Sequence, residues 1–181
     1  MAHTMRRHFS VAPWPRSLKI ISALGTALLV VVGIATYRAI PAASGFTHAF
    51  GLAIALVPPA ILVGSLLFMV TGYSVDESSL VVERLFFSTR IPLGGLRRVF
   101  SDPAVCKGSI RLMGNAGLFS FTGLYRSKAL GRYRLFATDF SRSVVMVLPK
   151  GVVVITPHSP AAFIEHVRHV FPPVEVGSSD Q

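Results

Sequence analysis

Two long apolar stretches, about 18–37 and 49–71, dominate the pattern of hydrophobic and polar positions. A helix rises about 1.5 Å per residue and a bilayer core is about 30 Å thick, so roughly twenty apolar residues suffice to cross it. Both stretches reach that length, and the second contains no Asp, Glu, Lys or Arg. A transmembrane helical hairpin is therefore predicted, turning through Pro41 and Gly45. Small residues four apart, Ala23 with Ala27, Ser22 with Thr26, Gly51 with Ala55 and Ala60 with Gly64, predict close packing of the two helices. Pro58-Pro59 predicts a kink, since each ring removes a backbone donor and crowds the preceding turn.

From Tyr73 onward the period changes to two. Tyr73–Val75 and Ser79–Arg84 flank the polar turn Asp76-Glu77-Ser78 and predict a hairpin. Phe86–Leu93 is another strand candidate, with Pro92 confining it to an edge or a strand end, and Leu96–Phe100 is short and ambiguous. Arg132–Thr138, Ser143–Leu148 and Val152–Thr156 predict an antiparallel meander. Ser159-Pro160 then starts a helix, with Phe163, Ile164, Val167, Val170 and Phe171 on one face and Glu165, His166, Arg168 and His169 on the other. Phe163, Val167 and Phe171 are expected on the sheet, His166 and His169 in water. The organisation predicted is a basic cytoplasmic flank at 1–17, disordered on the membrane surface, the hairpin at 18–71, a domain at 72–172 and a flexible tail at 173–181.

Charge orients the hairpin. All eight acidic residues follow the second stretch, whereas Arg6, Arg7 and Arg16 precede the first, Lys19 stands at its edge, and Arg38 alone marks the connection. The positive-inside bias predicts a multi-pass protein of the cell membrane with both termini cytoplasmic. Trp14, Tyr37 and Tyr73 are expected at headgroup level. A cleaved signal is the rival reading of the first stretch, with Arg6-Arg7 before it and Ala42-Ala43-Ser44 after it. Its apolar run exceeds the roughly 7–15 residues of a signal core, and two prolines separate it from the arginines. The single cysteine, Cys106, excludes an internal disulfide and any site built on paired cysteines.

The most distinctive stretch is glycine-rich, Gly108-Ser-Ile-Arg-Leu-Met-Gly114-Asn-Ala-Gly117-Leu-Phe-Ser-Phe-Thr-Gly123-Leu-Tyr-Arg126. It carries no Gly-Lys-Ser/Thr and no Gly-x-Gly-x-x-Gly, so it does not read as a phosphate-binding loop. Its glycines are expected to supply positive φ while Leu118, Phe119, Phe121 and Tyr125 pack on the sheet. Together with Leu130–Asp139 and the Ser159–Phe163 helix start, this stretch resembles the bacterial pleckstrin-homology-like (bacterial PH) domain family over about Gly72–Phe171. The resemblance implies an all-β PH-like barrel or sandwich capped by one C-terminal α-helix, following a membrane hairpin as here. Phosphoinositide-binding PH domains carry a basic cluster around their first hairpin loop, where this chain has Asp76-Glu77, so that recognition does not transfer.

Candidate chemistry is sparse. Ser120 lacks the spacing of a nucleophile elbow, Asp139 and His158 would form an acid–base pair only if folding joined them, and His166 with His169 lack a third metal ligand. No catalytic residue, metal or cofactor is assigned. Basic density is the remaining signal: Arg126, Lys128, Arg132 and Arg134 lie in a stretch with no acid between Asp102 and Asp139. Arg132 and Arg134 share a strand face, with Tyr133 and Leu135 toward the core. These four are expected to bind an anionic surface or partner. The sequence thus predicts a non-enzymatic binding or assembly role at the cytoplasmic membrane surface, the alternative being an accessory subunit of a membrane enzyme or transporter. Expected partners are the lipid bilayer, anionic lipid headgroups, and another membrane protein or a second copy of the chain, but not nucleic acid.

Overall fold

The computed structural model describes residues 6–40, 45–171 and 175–176. Residues 41–44 of the predicted turn through Pro41 and Gly45, and all of the predicted tail except 175–176, lie outside the described residues. Helix α1 (Arg16–Arg38) runs antiparallel to α2 (Phe46–Ala55) and α3 (Val57–Leu67), which continue one another across Leu56. Pro58 and Pro59 lack the N–H groups a continuous helix would use there, which accounts for the break at Leu56, two residues before the first ring. Both helical arms, 23 and 22 residues, are long and apolar enough to cross a membrane. Only 11% and 6% of their apolar windows are buried, which distinguishes them from core helices of a soluble protein.

The helices meet where Gly33 faces Pro58, a Cβ built on Gly33 lying 3.7 Å from the proline ring. Gly51 likewise receives Ile40. Gly64, expected to support helix packing, has nothing within 4 Å of its Cβ direction and lines an opening instead. The second arm also ends earlier than 71, because Val70 already begins a strand.

Strands β1 (Arg7–Ser10), β2 (Val70–Val75), β3 (Ser79–Arg84) and β4 (Ser88–Pro92) form one antiparallel sheet in that order. The first of these corrects the expectation of a disordered flank. Arg7–Ser10 pair with Gly72–Val75, Ala12 donates to the Thr156 carbonyl, and the Thr138 hydroxyl donates to the Ala12 carbonyl. Arg6 and His8 add ion pairs to Glu83 at 2.9 and 3.1 Å. Burial pushes the Glu83 carboxyl up, but the Ser74 hydroxyl, His8 and Arg6 together hold it below the usual carboxylate range. The folded domain therefore lies on both sides of the helical hairpin in sequence.

The second sheet contains β5 (Arg98–Ser101), β6 (Ile110–Ala116), β7 (Phe121–Ser127), β8 (Gly131–Ala137), β9 (Val144–Leu148), β10 (Gly151–Ile155) and β11 (Glu175–Val176). Its order is β11-β5-β9-β10-β8-β7-β6. The predicted meander of the last three long strands is incorrect: β10 inserts between β9 and β8, antiparallel to the first and parallel to the second. Their apolar runs are buried on both faces, so alternation could not reveal which strands adjoin. One core lies between the sheets, where Tyr73, Leu80 and Val82 meet Phe136, Met146 and Ile155. A smaller cluster under the 102–109 loop buries Val105, Tyr133, Leu135 and Val154 on the other face of the second sheet.

Tyr73 is fully buried rather than interfacial. Its hydroxyl donates to the Phe136 carbonyl at 2.7 Å and accepts from the Thr156 amide, linking the two sheets. Helix α4 (Pro160–Val170) closes the core with Phe163 and Val167 completely buried and Phe171 partly so. Ser159 occupies the N-cap position, although its hydroxyl makes no capping bond. His169 is exposed as expected, but His166 is half-buried because the added strand β1 brings Phe9 to 5.5 Å from its ring. Burial, Arg7 and His169 lower the His166 pKa.

Candidate functional site at the junction of hairpin and domain

The glycine-rich stretch folds as a long hairpin, β6 and β7, whose tip at 117–120 climbs along α1. Gly114 and Gly123 face each other across it, both at positive φ (114° and 140°), so close that a Cβ on either would strike the opposing backbone. Asn115 braces the tip by donating to the Leu118 carbonyl and accepting from the Leu118 amide. Phe119 completes the turn with φ of 68°, a conformation uncommon outside glycine.

This tip seats the helices. The Ser22 hydroxyl on α1 donates to the Gly117 carbonyl and accepts from the Phe119 amide at 3.0 Å, and Ser22 is buried. Gly25 receives Leu118, the Ser120 hydroxyl donates to the Phe68 carbonyl, and Trp14 packs near Phe119. Leu118 and Phe119, expected on the sheet, thus contact the helical arms. A polar side chain in an apolar helix is costly unless satisfied, and here the loop backbone satisfies Ser22.

Between the two parts lies a groove of about 960 Å³. Ile21, Gly25 and Leu28 of α1 and Ile61 and Gly64 of α3 line its helical side, and Leu124, Phe136 and three arginines line the other. Arg84, at the end of β3, is half-buried among Phe68, Phe87 and Phe136, its guanidinium carbon 5.0, 4.8 and 5.5 Å from the ring centroids. Arg134 stands 5.3 Å from the centroid of the same Phe136 ring. The Arg84 Nε is buried without a hydrogen-bond partner, and burial together with the Arg134 charge lowers the Arg84 pKa. Arg111, the third, donates to the Gly114 carbonyl. No acidic residue lines the groove.

The sequence-predicted basic residues fall partly here. Register pairs Arg126 with Arg132 and Leu124 with Arg134, which places Arg126, Arg132 and Arg134 on the sheet face that meets the helices, while Tyr133 and Leu135 are buried on the other. Lys128 is exposed in the turn joining the two strands. Of the four, only Arg134 reaches the groove; Arg84 and Arg111 were not singled out from the sequence. A basic residue closing a strand and followed by exposed Leu85, Phe86 and Phe87 was the available signal.

Other candidate chemistry is used structurally. Ser120 is buried, and the Asp139 carboxylate accepts from the Ser141 amide and hydroxyl rather than meeting His158. Arg142 donates to the His158 carbonyl instead. Burial raises the Cys106 thiol pKa, the reverse of an activated nucleophile.

A sheet sandwich closed by a C-terminal helix has the architecture the glycine-rich stretch implied, and residues 71–170 match the family model described as Bacterial PH domain. The chain belongs to the bacterial PH domain family. Comparisons with curated proteins and with solved structures gave no match. The matched segment of this bacterial PH domain begins at β2, so β1 and the helical hairpin lie outside it.

Proposed function

We propose that this protein is a non-catalytic binding module held at the cytoplasmic face of the cell membrane by its own helical hairpin, both termini cytoplasmic, with Arg126, Lys128, Arg132 and Arg134 turned toward anionic headgroups. The observation that carries this reading is the acid-free basic sheet face continuous with the junction to the membrane helices. Each basic group close to an anionic leaflet gains about 1 kcal/mol, and attraction of this kind is screened by salt. Among the described residues, the ion pairs join Arg6 and His8 to Glu83, and none holds Arg126, Arg132 or Arg134.

Trypsin cleavage of the full chain in nanodiscs tests the reading. With anionic lipid and about 0.1 M salt, cleavage after Lys128 is expected to be suppressed relative to the exposed turn at Lys150. At about 1 M salt, where the screening length falls from about 10 to about 3 Å, protection should disappear. Equal cleavage in neutral and anionic nanodiscs would refute the proposed surface contact.

A further inference from the structure

We propose that the groove between the hairpin and the domain binds one anionic phospholipid, its phosphate at the Arg84–Arg134 pair and its acyl chains along α1 and α3. This rests on the membrane-surface reading and adds a defined ligand site to it. The chemistry of the two walls is unequal in the way such a lipid requires. Two guanidinium groups share the Phe136 ring with no acid among the groove residues, while the facing helices present Ile21, Leu28 and Ile61. A volume of about 960 Å³ lies at the upper end of the roughly 300–1,000 Å³ of small-molecule sites. Gly64 keeps the helical wall low, with nothing within 4 Å of a Cβ there.

Depth favours a lipid over a soluble anion. At about 1.5 Å per residue, Gly25 lies about 14 Å along α1 from Arg16, yet it still touches the domain through Leu118. The rest of α1, Thr26 to Arg38, spans only about 20 Å against a hydrocarbon core of about 30 Å. The hairpin tip and groove therefore reach the level of headgroups and upper acyl chains. Exposed Phe87, its ring 5.4 Å from that of the groove residue Phe68, adds an apolar surface beside the same opening. An arginine fork suits a phosphate, and at this depth water is a poor alternative partner.

The test uses the full chain, delipidated in mild detergent and titrated with phosphatidylglycerol, phosphatidylcholine or glycerol phosphate under native mass spectrometry. One retained phosphatidylglycerol per chain is expected, with phosphatidylcholine roughly 10-fold weaker and glycerol phosphate unable to compete. Arg84→Gln should weaken retention roughly 10-fold or more, as loss of a charge-assisted hydrogen bond would. Gly64→Leu, which narrows the groove without touching either arginine, should weaken it too. Equal retention of the two lipids, no effect of either substitution in variants of native thermal stability, or displacement by glycerol phosphate would overturn the proposal. If the salt-sensitive protection at Lys128 persisted through such a failure, the surface reading would stand and only the lipid site would fall.

Discussion

Truncating Phe163 to alanine is expected to cost about 3–5 kcal/mol and to leave the domain unfolded or close to it. The ring is completely buried in the core, with Phe9 edge-on at 5.1 Å, so its removal leaves a cavity. Exposed Arg168 on the same helix provides the comparison, since its replacement by alanine should change stability by less than about 0.5 kcal/mol. Thermal denaturation of the full chain in detergent reads both. Wild-type stability of Phe163→Ala would mean that α4 does not close the core.

The second large effect concerns the glycine hairpin. Gly123→Ala is expected to destabilise by about 3 kcal/mol or more, because its φ of 140° is strained for any L side chain and the new methyl would collide with the Met113 carbonyl. Gly114→Ala should act similarly through the Thr122 carbonyl. By contrast, Gly151→Ala, which meets no atom within 4 Å, suffers the backbone strain alone and should be milder. Chemical denaturation of the three variants checks the order; a Gly123→Ala variant as stable as Gly151→Ala would contradict the close approach of β6 and β7.

The two membrane-length helices and α4 were legible in the sequence because each repeats one kind of residue at one spacing. The N-terminal strand was not, because Arg7-His8-Phe9-Ser10 has no apolar alternation; it is a strand through its pairing with β2 and the attraction of Arg6 and His8 to Glu83. That omission also misplaced His166, whose cover comes from Phe9. The basic face was legible as density, with Arg132 and Arg134 correctly sharing a side of β8. The groove was not, since Arg84, Arg111 and Arg134 come from three strands and meet only when the glycine hairpin is laid along α1.

That docking of the glycine-rich tip onto the first helix is what creates the site, and a cysteine pair tests it most directly. In a Cys106→Ser background, Gly25→Cys with Leu118→Cys brings two thiols together, since the Leu118 Cδ1 lies 3.1 Å from the position of a Cβ on Gly25. Rapid intramolecular disulfide formation in native membranes, with loss of both titratable thiols and no dimer, is the predicted result, whereas Gly25→Cys with Lys150→Cys should remain reduced. Equal, slow oxidation of the two pairs would show that hairpin and domain move independently, and the groove would then not exist as a site.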